Sequence, residues 1–138
     1  MTILAVANSA GVLAALGKLL CAAFPDDLLR MEPDPLAAAK YSYTNPVDVL
    51  LVTPETRPMN GWNLYGFVRQ TNPQAILLML IEPGRDMFDC LWADKVDGLL
   101  SLPMSADAIR HAVQNARQGI QSHTQTTLCT LTMSTNSH

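Results

Sequence analysis

The stretch of this chain most informative about chemistry is Val47–Gly61, VDVLLVTPETRPMNG. An apolar run ends in the hydroxyl of Thr53. The carboxylate of Glu55 follows two residues later, and an Asn60-Gly61 turn opens the next helix. A threonine at the mouth of a strand is a nucleophile only if a base takes its proton or cations neutralise the group it attacks. The segment offers Thr53 no histidine and no pair of carboxylates. Its residues therefore point to a strand-ending threonine whose hydroxyl bonds local backbone. Glu55 could reach the same mouth as a fixed negative charge.

The other reactive side chains are scattered. Cys21, Cys90 and Cys129 lack metal-ligand spacing. The first two lie in apolar runs, where a free cysteine is expected to be a small buried hydrophobe. An odd cysteine count without secretion signals favours a reducing cytoplasm. His111 is expected on the solvent side of a late helix, and His123 and His138 fall near the C-terminus without metal spacing. Trp62 is expected to pack a helix start. There is no Gly-rich phosphate loop and no Cys-His or Ser-His pair, so neither a metal nor a cofactor is expected, and no enzymatic activity.

Composition bounds the class. The 138 residues are 49% hydrophobic and 15% charged, with net charge -3. That suits one packed domain and not a disordered chain. Nine basic residues, dispersed along the sequence, do not make the stripe that phosphate backbones require, so direct nucleic-acid binding is not expected. Met1–Phe24 is rich in Ala and Leu, but Asn8-Ser9 and Lys18 break it. It is read as a strand and a helix, not as a signal peptide or membrane span.

The elements that must position Thr53 alternate strand and helix about five times. Ile3–Val6 is an apolar strand, and Ser9 caps a helix with Val12, Leu16, Leu19, Leu20 and Ala23 on one face. Leu28–Met31 is a short strand, and Leu36–Tyr43 an Ala-rich helix. Val47–Val52, apolar except for Asp48, and the continuously apolar Ala75–Ile81 have the pattern of parallel strands covered on both faces. Between them Leu64, Phe67 and Val68 form a helical stripe. Met87, Phe88, Leu91 and Trp92 pair at helical spacing. Gly98–Leu102 is a fifth strand, and Ser105 caps a last helix over Ala106–Arg117. Repeated β-α units imply right-handed crossovers and an α/β parallel sheet with helices on both sides. Residues 119–138, rich in Thr, Ser and Gln, are expected to be a flexible polar tail to a domain spanning 1–118.

Three pieces, ILAVANS at the first strand, VDVLLVT…PMNG at the third and VDGLLSLP-M at the fifth, resemble the receiver (CheY-like) domains of two-component response regulators. The wording of Glu82–Pro103 is similar to receivers of LytTR-type regulators. The resemblance implies a flavodoxin-like (βα)5 fold, strand order 2-1-3-4-5, with its functional crevice at the carboxyl ends of strands one and three. It also implies roles that these residues do not fill. The phospho-acceptor position is Thr53. The two acidic positions that hold Mg²⁺ are Ala7 and Asn8, and Mg²⁺ demands oxygen ligands. The hydroxyl position after the fourth strand falls at Ile81, the aromatic switch at Leu99 and the charge-neutralising lysine at Leu102. Pro103 keeps the family's proline, whose peptide bond receivers usually hold cis.

The expected function is a phosphorylation-independent pseudo-receiver that acts by protein-protein interaction or dimerisation in bacterial signalling or transcriptional control. Its expected interface is the face of helix four, strand five and helix five, with Met87, Phe88, Leu91, Trp92, Arg110 and Gln114 as candidates. The alternatives are a small-ligand-binding flavodoxin-like domain and the remnant receiver of a regulator without its output domain. The expected partner is a protein or a second copy, with no membrane contact.

Overall fold

The computed structural model describes residues 1–81 and 96–118. Five strands form one parallel sheet in the order β2-β1-β3-β4-β5. They are β1 (Thr2–Val6), β2 (Leu28–Glu32), β3 (Val49–Val52), β4 (Ile76–Ile81) and β5 (Gly98–Ser101). Helices α1 (Ala10–Ala23), α2 (Pro35–Thr44) and α3 (Gly61–Thr71) connect the first four. A last helix runs over 106–118. The expected strand order holds. The helix expected at Met87–Trp92 and the tail from 119 lie outside the described residues, as do Cys90, Cys129, His123 and His138.

Continuous apolar strands are possible because each face of the sheet has its own cover. Ile3, Ala5, Val49, Leu51, Ile76, Leu78 and Leu80 pack on one side with Leu16 and Leu20 of α1 and Ile109 and Val113 of the last helix. The alternate residues Leu4, Val6, Leu50, Val52, Leu77 and Met79 pack on the other with Ala38 and Ala39 of α2 and Leu64 and Val68 of α3. Successive strand side chains point to opposite faces, so a run such as Val49–Val52 feeds both cores and carries no polar residue. The edge strand β2 is covered less, and Leu28 is exposed.

Two aspartates start strands in the same way. The Asp48 carboxylate accepts the Thr2 amide at 2.7 Å, and Asp97 accepts that of Leu77 at 2.7 Å. Each satisfies a backbone donor at the amino end of the sheet, which would otherwise lose its partner on burial. At that same end Asn72, the C-cap of α3, ties three elements together. Its amide donates to Ser42 O at 3.2 Å, and its side-chain oxygen accepts the Val47 N–H at 2.9 Å. Both groupings lie at the end of the sheet opposite the crevice.

Two expectations need correction. Cys21 is exposed, not buried. The inward face of α1 is set by Leu16, Leu20 and Ala23, and the residue after Leu20 is turned about 100° away from it. Phe67 is likewise outside the core, 39% exposed. Leu64 and Val68 take the sheet-facing positions of α3. Phe67 instead meets Tyr43 of α2 edge-on, with ring centroids 6.4 Å apart.

Tyr65 of α3 is half-buried. Its hydroxyl accepts a hydrogen bond from Arg69, and its ring lies 5.8 Å from that of Trp62. Burial holds the phenol above its ordinary value of 10.0. The Asp97 charge pushes the same way, and Arg69 opposes both. A folded pKa above the unfolded one contributes stability that is complete below pH 10 and disappears as pH rises through the folded value. Denaturant midpoints should therefore fall on the alkaline side of pH 10, and Tyr65→Phe should make that fall shallower. An unchanged alkaline slope in the variant would count against Tyr65 as a contributor.

Candidate functional site

The carboxyl ends of β1 and β3 are neighbours in register, with Val6 opposite Val52. Thr53 extends that ladder by donating its N–H to Val6 O at 3.3 Å. It is buried, at 4% exposure. Ala7 is fully buried. Asn8 follows on the rim, and the Ser9 hydroxyl caps α1 by accepting the Val12 N–H at 3.3 Å.

The loop between Thr53 and α3 is tightly bonded. Gly61 N–H donates to Pro54 O at 3.1 Å, and the buried Thr56 hydroxyl donates to Met59 O at 2.7 Å. Asn60 caps α3, its side-chain oxygen accepting the Asn63 N–H at 2.8 Å. Gly61 then passes so close to β3 that a Cβ there would stand 2.6 Å from Thr53 O and 3.1 Å from a Val52 methyl. In Met59-Asn60-Gly61, the asparagine is a cap and the glycine a close-approach residue. The Arg57–Pro58 peptide bond is cis, as is Leu102–Pro103.

Asn8 clasps this loop. Its side-chain nitrogen donates to Pro33 O and to Arg57 O, each at 3.0 Å, and its side-chain oxygen accepts the Arg57 N–H at 2.7 Å. An amide can do this because it carries two donors and an acceptor. A carboxylate has no donor. One side chain thus joins the ends of β1, β2 and β3.

The remaining positions that the resemblance singles out are apolar. Ile81 is buried and sits opposite Ser101 in the β4–β5 register. Leu99 packs on the α2–α3 side of the sheet and Leu102 on the other. Ala7, Asn8 and Thr53 therefore come together at adjacent strand ends, while the ends of β4 and β5 contribute Ile81 and Leu102. These residues do not fit a magnesium ion. Ala7 offers a methyl group, and the Asn8 oxygen already accepts a backbone N–H. Glu55 and His111 are exposed. Among the expected interface residues, Arg110 is anchored within the chain. It donates to Ala23 O at 3.2 Å and to Asp107 at 2.6 Å. Gln114 is exposed. Met87, Phe88, Leu91 and Trp92 lie outside the described residues.

Sequence reading did not find the Asn8 clasp, Thr56 or the part played by Arg57. Thr56 carried a weak signal, since a hydroxyl three residues before Met59 can close a local turn. The bonds of Asn8 to Pro33 and Arg57 carried none.

No family model matches the chain, and no curated protein matches it. Solved structures do. A putative response regulator from Chloroflexus aurantiacus J-10-fl aligns with a TM-score of 0.72 at 22% identity, covering 85% of this chain and 97% of that one. The fold is that of a receiver domain. The signal receiver domain of an HD domain-containing protein from Pseudomonas fluorescens Pf-5 gives 0.72 at 21%, with 90% and 91% covered. A response regulator from Burkholderia pseudomallei, solved with a phosphorylated aspartic acid, calcium ion and citrate, gives 0.68 at 19%, with 88% and 71% covered. The receiver fold thus places Thr53 and Asn8 at the carboxyl end of its sheet. Among the described residues no helix is long and apolar enough to cross a membrane.

Proposed function

We propose that this chain is a receiver-like regulatory module of bacterial two-component signalling or transcriptional control. It acts by contact with a protein partner or a second copy of itself, without a phosphoryl switch and without catalysis. The observation that carries this reading is the clasp at Asn8, which commits the family's acidic-pair position to holding three loops together. Phosphoryl transfer depends on a positioned nucleophile and on cations that neutralise the transferred group. Thr53, Asn8 and Leu102 supply neither. The retained core and retained Pro103 support a domain kept for its surface. The wording of 82–103 supports a place near the receivers of LytTR-type regulators.

The test is incubation with acetyl phosphate and Mg²⁺, read by intact mass. The wild-type chain and Thr53→Asp should both remain unmodified, because the variant still lacks the second acid and the lysine. Magnesium should raise the melting temperature no more than a salt of matched ionic strength does. Light scattering should give one association state with and without the phosphodonor. Incorporation of one phosphoryl group per chain, in either protein, would overturn the proposal.

A further inference from the structure

Asn60 is the one asparagine in the sequence that is followed by glycine. In an open chain this pair is chemically labile. The Gly61 backbone nitrogen attacks the Asn60 side-chain carbonyl carbon, a new C–N bond forms, and the amide nitrogen leaves as ammonia. Water then opens the cyclic imide at either of its carbonyls. One product is aspartate, and the other is isoaspartate with its side-chain carbon carried into the main chain. No oxidant or other reactant is required. Glycine favours the step because it has no side chain to crowd the attacking nitrogen and little restriction on its backbone.

The folded loop opposes every part of that step. The Gly61 N–H donates to Pro54 O at 3.1 Å. The Asn60 side-chain oxygen is held by the Asn63 N–H at 2.8 Å. Ring closure needs the Gly61 nitrogen eclipsed with the Asn60 Cβ about the Cα–C bond, and the extended Asn60 backbone, at ψ 165°, does not bring it there. Gly61 cannot shift to help, because Thr53 O occupies the space where even a methyl group would lie. We infer that Asn60 is a deamidation site that the fold holds shut, and that it reacts only when the loop over 54–61 opens.

The two products differ in consequence. Aspartate at position 60 is still a good helix cap. Isoaspartate lengthens the main chain by one carbon next to Gly61, where the approach to Thr53 O leaves no slack. The isoaspartyl chain therefore cannot re-form the native loop.

The experiment follows Asn60 by peptide mapping at mildly alkaline pH in the native protein, in the urea-unfolded protein and in Thr56→Ala. The native protein should react at least about tenfold more slowly than the unfolded one, as for a site that needs local opening. Thr56→Ala loses the hydrogen bond to Met59 O and should react faster than wild type. Along a series of low urea concentrations, the wild-type rate should rise in parallel with hydrogen exchange at the Gly61 amide. That comparison does not depend on the variant folding. After refolding, the isoaspartyl chain should melt below the aspartyl chain. Equal rates in native and unfolded protein, a rate that ignores urea while Gly61 exchange accelerates, or an isoaspartyl chain as stable as the aspartyl one would each overturn the inference.

Discussion

Gly61→Ala should destabilise the protein by about 2 kcal/mol, while Gly66→Ala in the same helix should stabilise it by about 0.5–1 kcal/mol. Replacing glycine by alanine in a helix normally helps, because the unfolded chain loses freedom and the helix gains propensity. At Gly66 nothing lies within 4 Å of the added Cβ, and the normal sign holds. At Gly61 the added Cβ would stand 2.6 Å from Thr53 O, a backbone atom that cannot rotate away, with Val52 behind it. Overpacking of this kind costs about 1–3 kcal/mol and exceeds the propensity gain. The melting midpoint should drop by roughly 6–10 °C in the first variant and rise in the second. Two variants of the same sign would show that the β3–α3 approach yields more readily than its geometry implies.

Asn8→Asp should cost about 1–2 kcal/mol, although it is the substitution that brings this position closest to the receiver pattern. Two hydrogen bonds donated to Pro33 O and Arg57 O disappear, each worth about 1 kcal/mol, and the new negative charge faces the two carbonyl oxygens. The bond from Arg57 N–H survives and becomes charge-assisted, which returns part of the loss. The rim site is exposed, so water recovers some more. Hydrogen exchange should quicken around Arg57 and in the loop that follows β2, and not in β4 or β5. Urea unfolding with amide exchange measures both effects. A variant as stable as wild type, with unchanged exchange at Arg57, would remove the clasp as a support for a permanently fixed crevice.

The strands were legible from sequence because their residues obey a local rule. A continuous apolar run such as Ile76–Ile81 can exist only where both faces of a sheet are covered, and the alternation of Leu77 and Leu78 between two cores follows from strand geometry alone. The caps at Ser9 and Ser105 were legible for the same reason, since their partners lie three residues away. The strand order rested on the resemblance to receivers. Boundaries shifted where a polar residue at a strand end serves the neighbouring strand, as Asp48 does for Thr2.

What the tertiary structure alone decided depends on contacts between distant parts of the chain. Asn8 binds partners 25 and 49 residues away, so nothing near it in sequence marks it as a clasp. Arg110, expected on a docking face, is held by the carbonyl of Ala23, 87 residues away. Cys21 and Phe67 look like core residues by type, and the rotation of their helices against the sheet leaves them outside. Sequence identified Gly61 as part of a turn. Only the folded chain shows that a Cβ at this position would run into the Thr53 carbonyl oxygen. Local periodicity sets which elements form, and packing between them decides which side chains remain available to meet a partner.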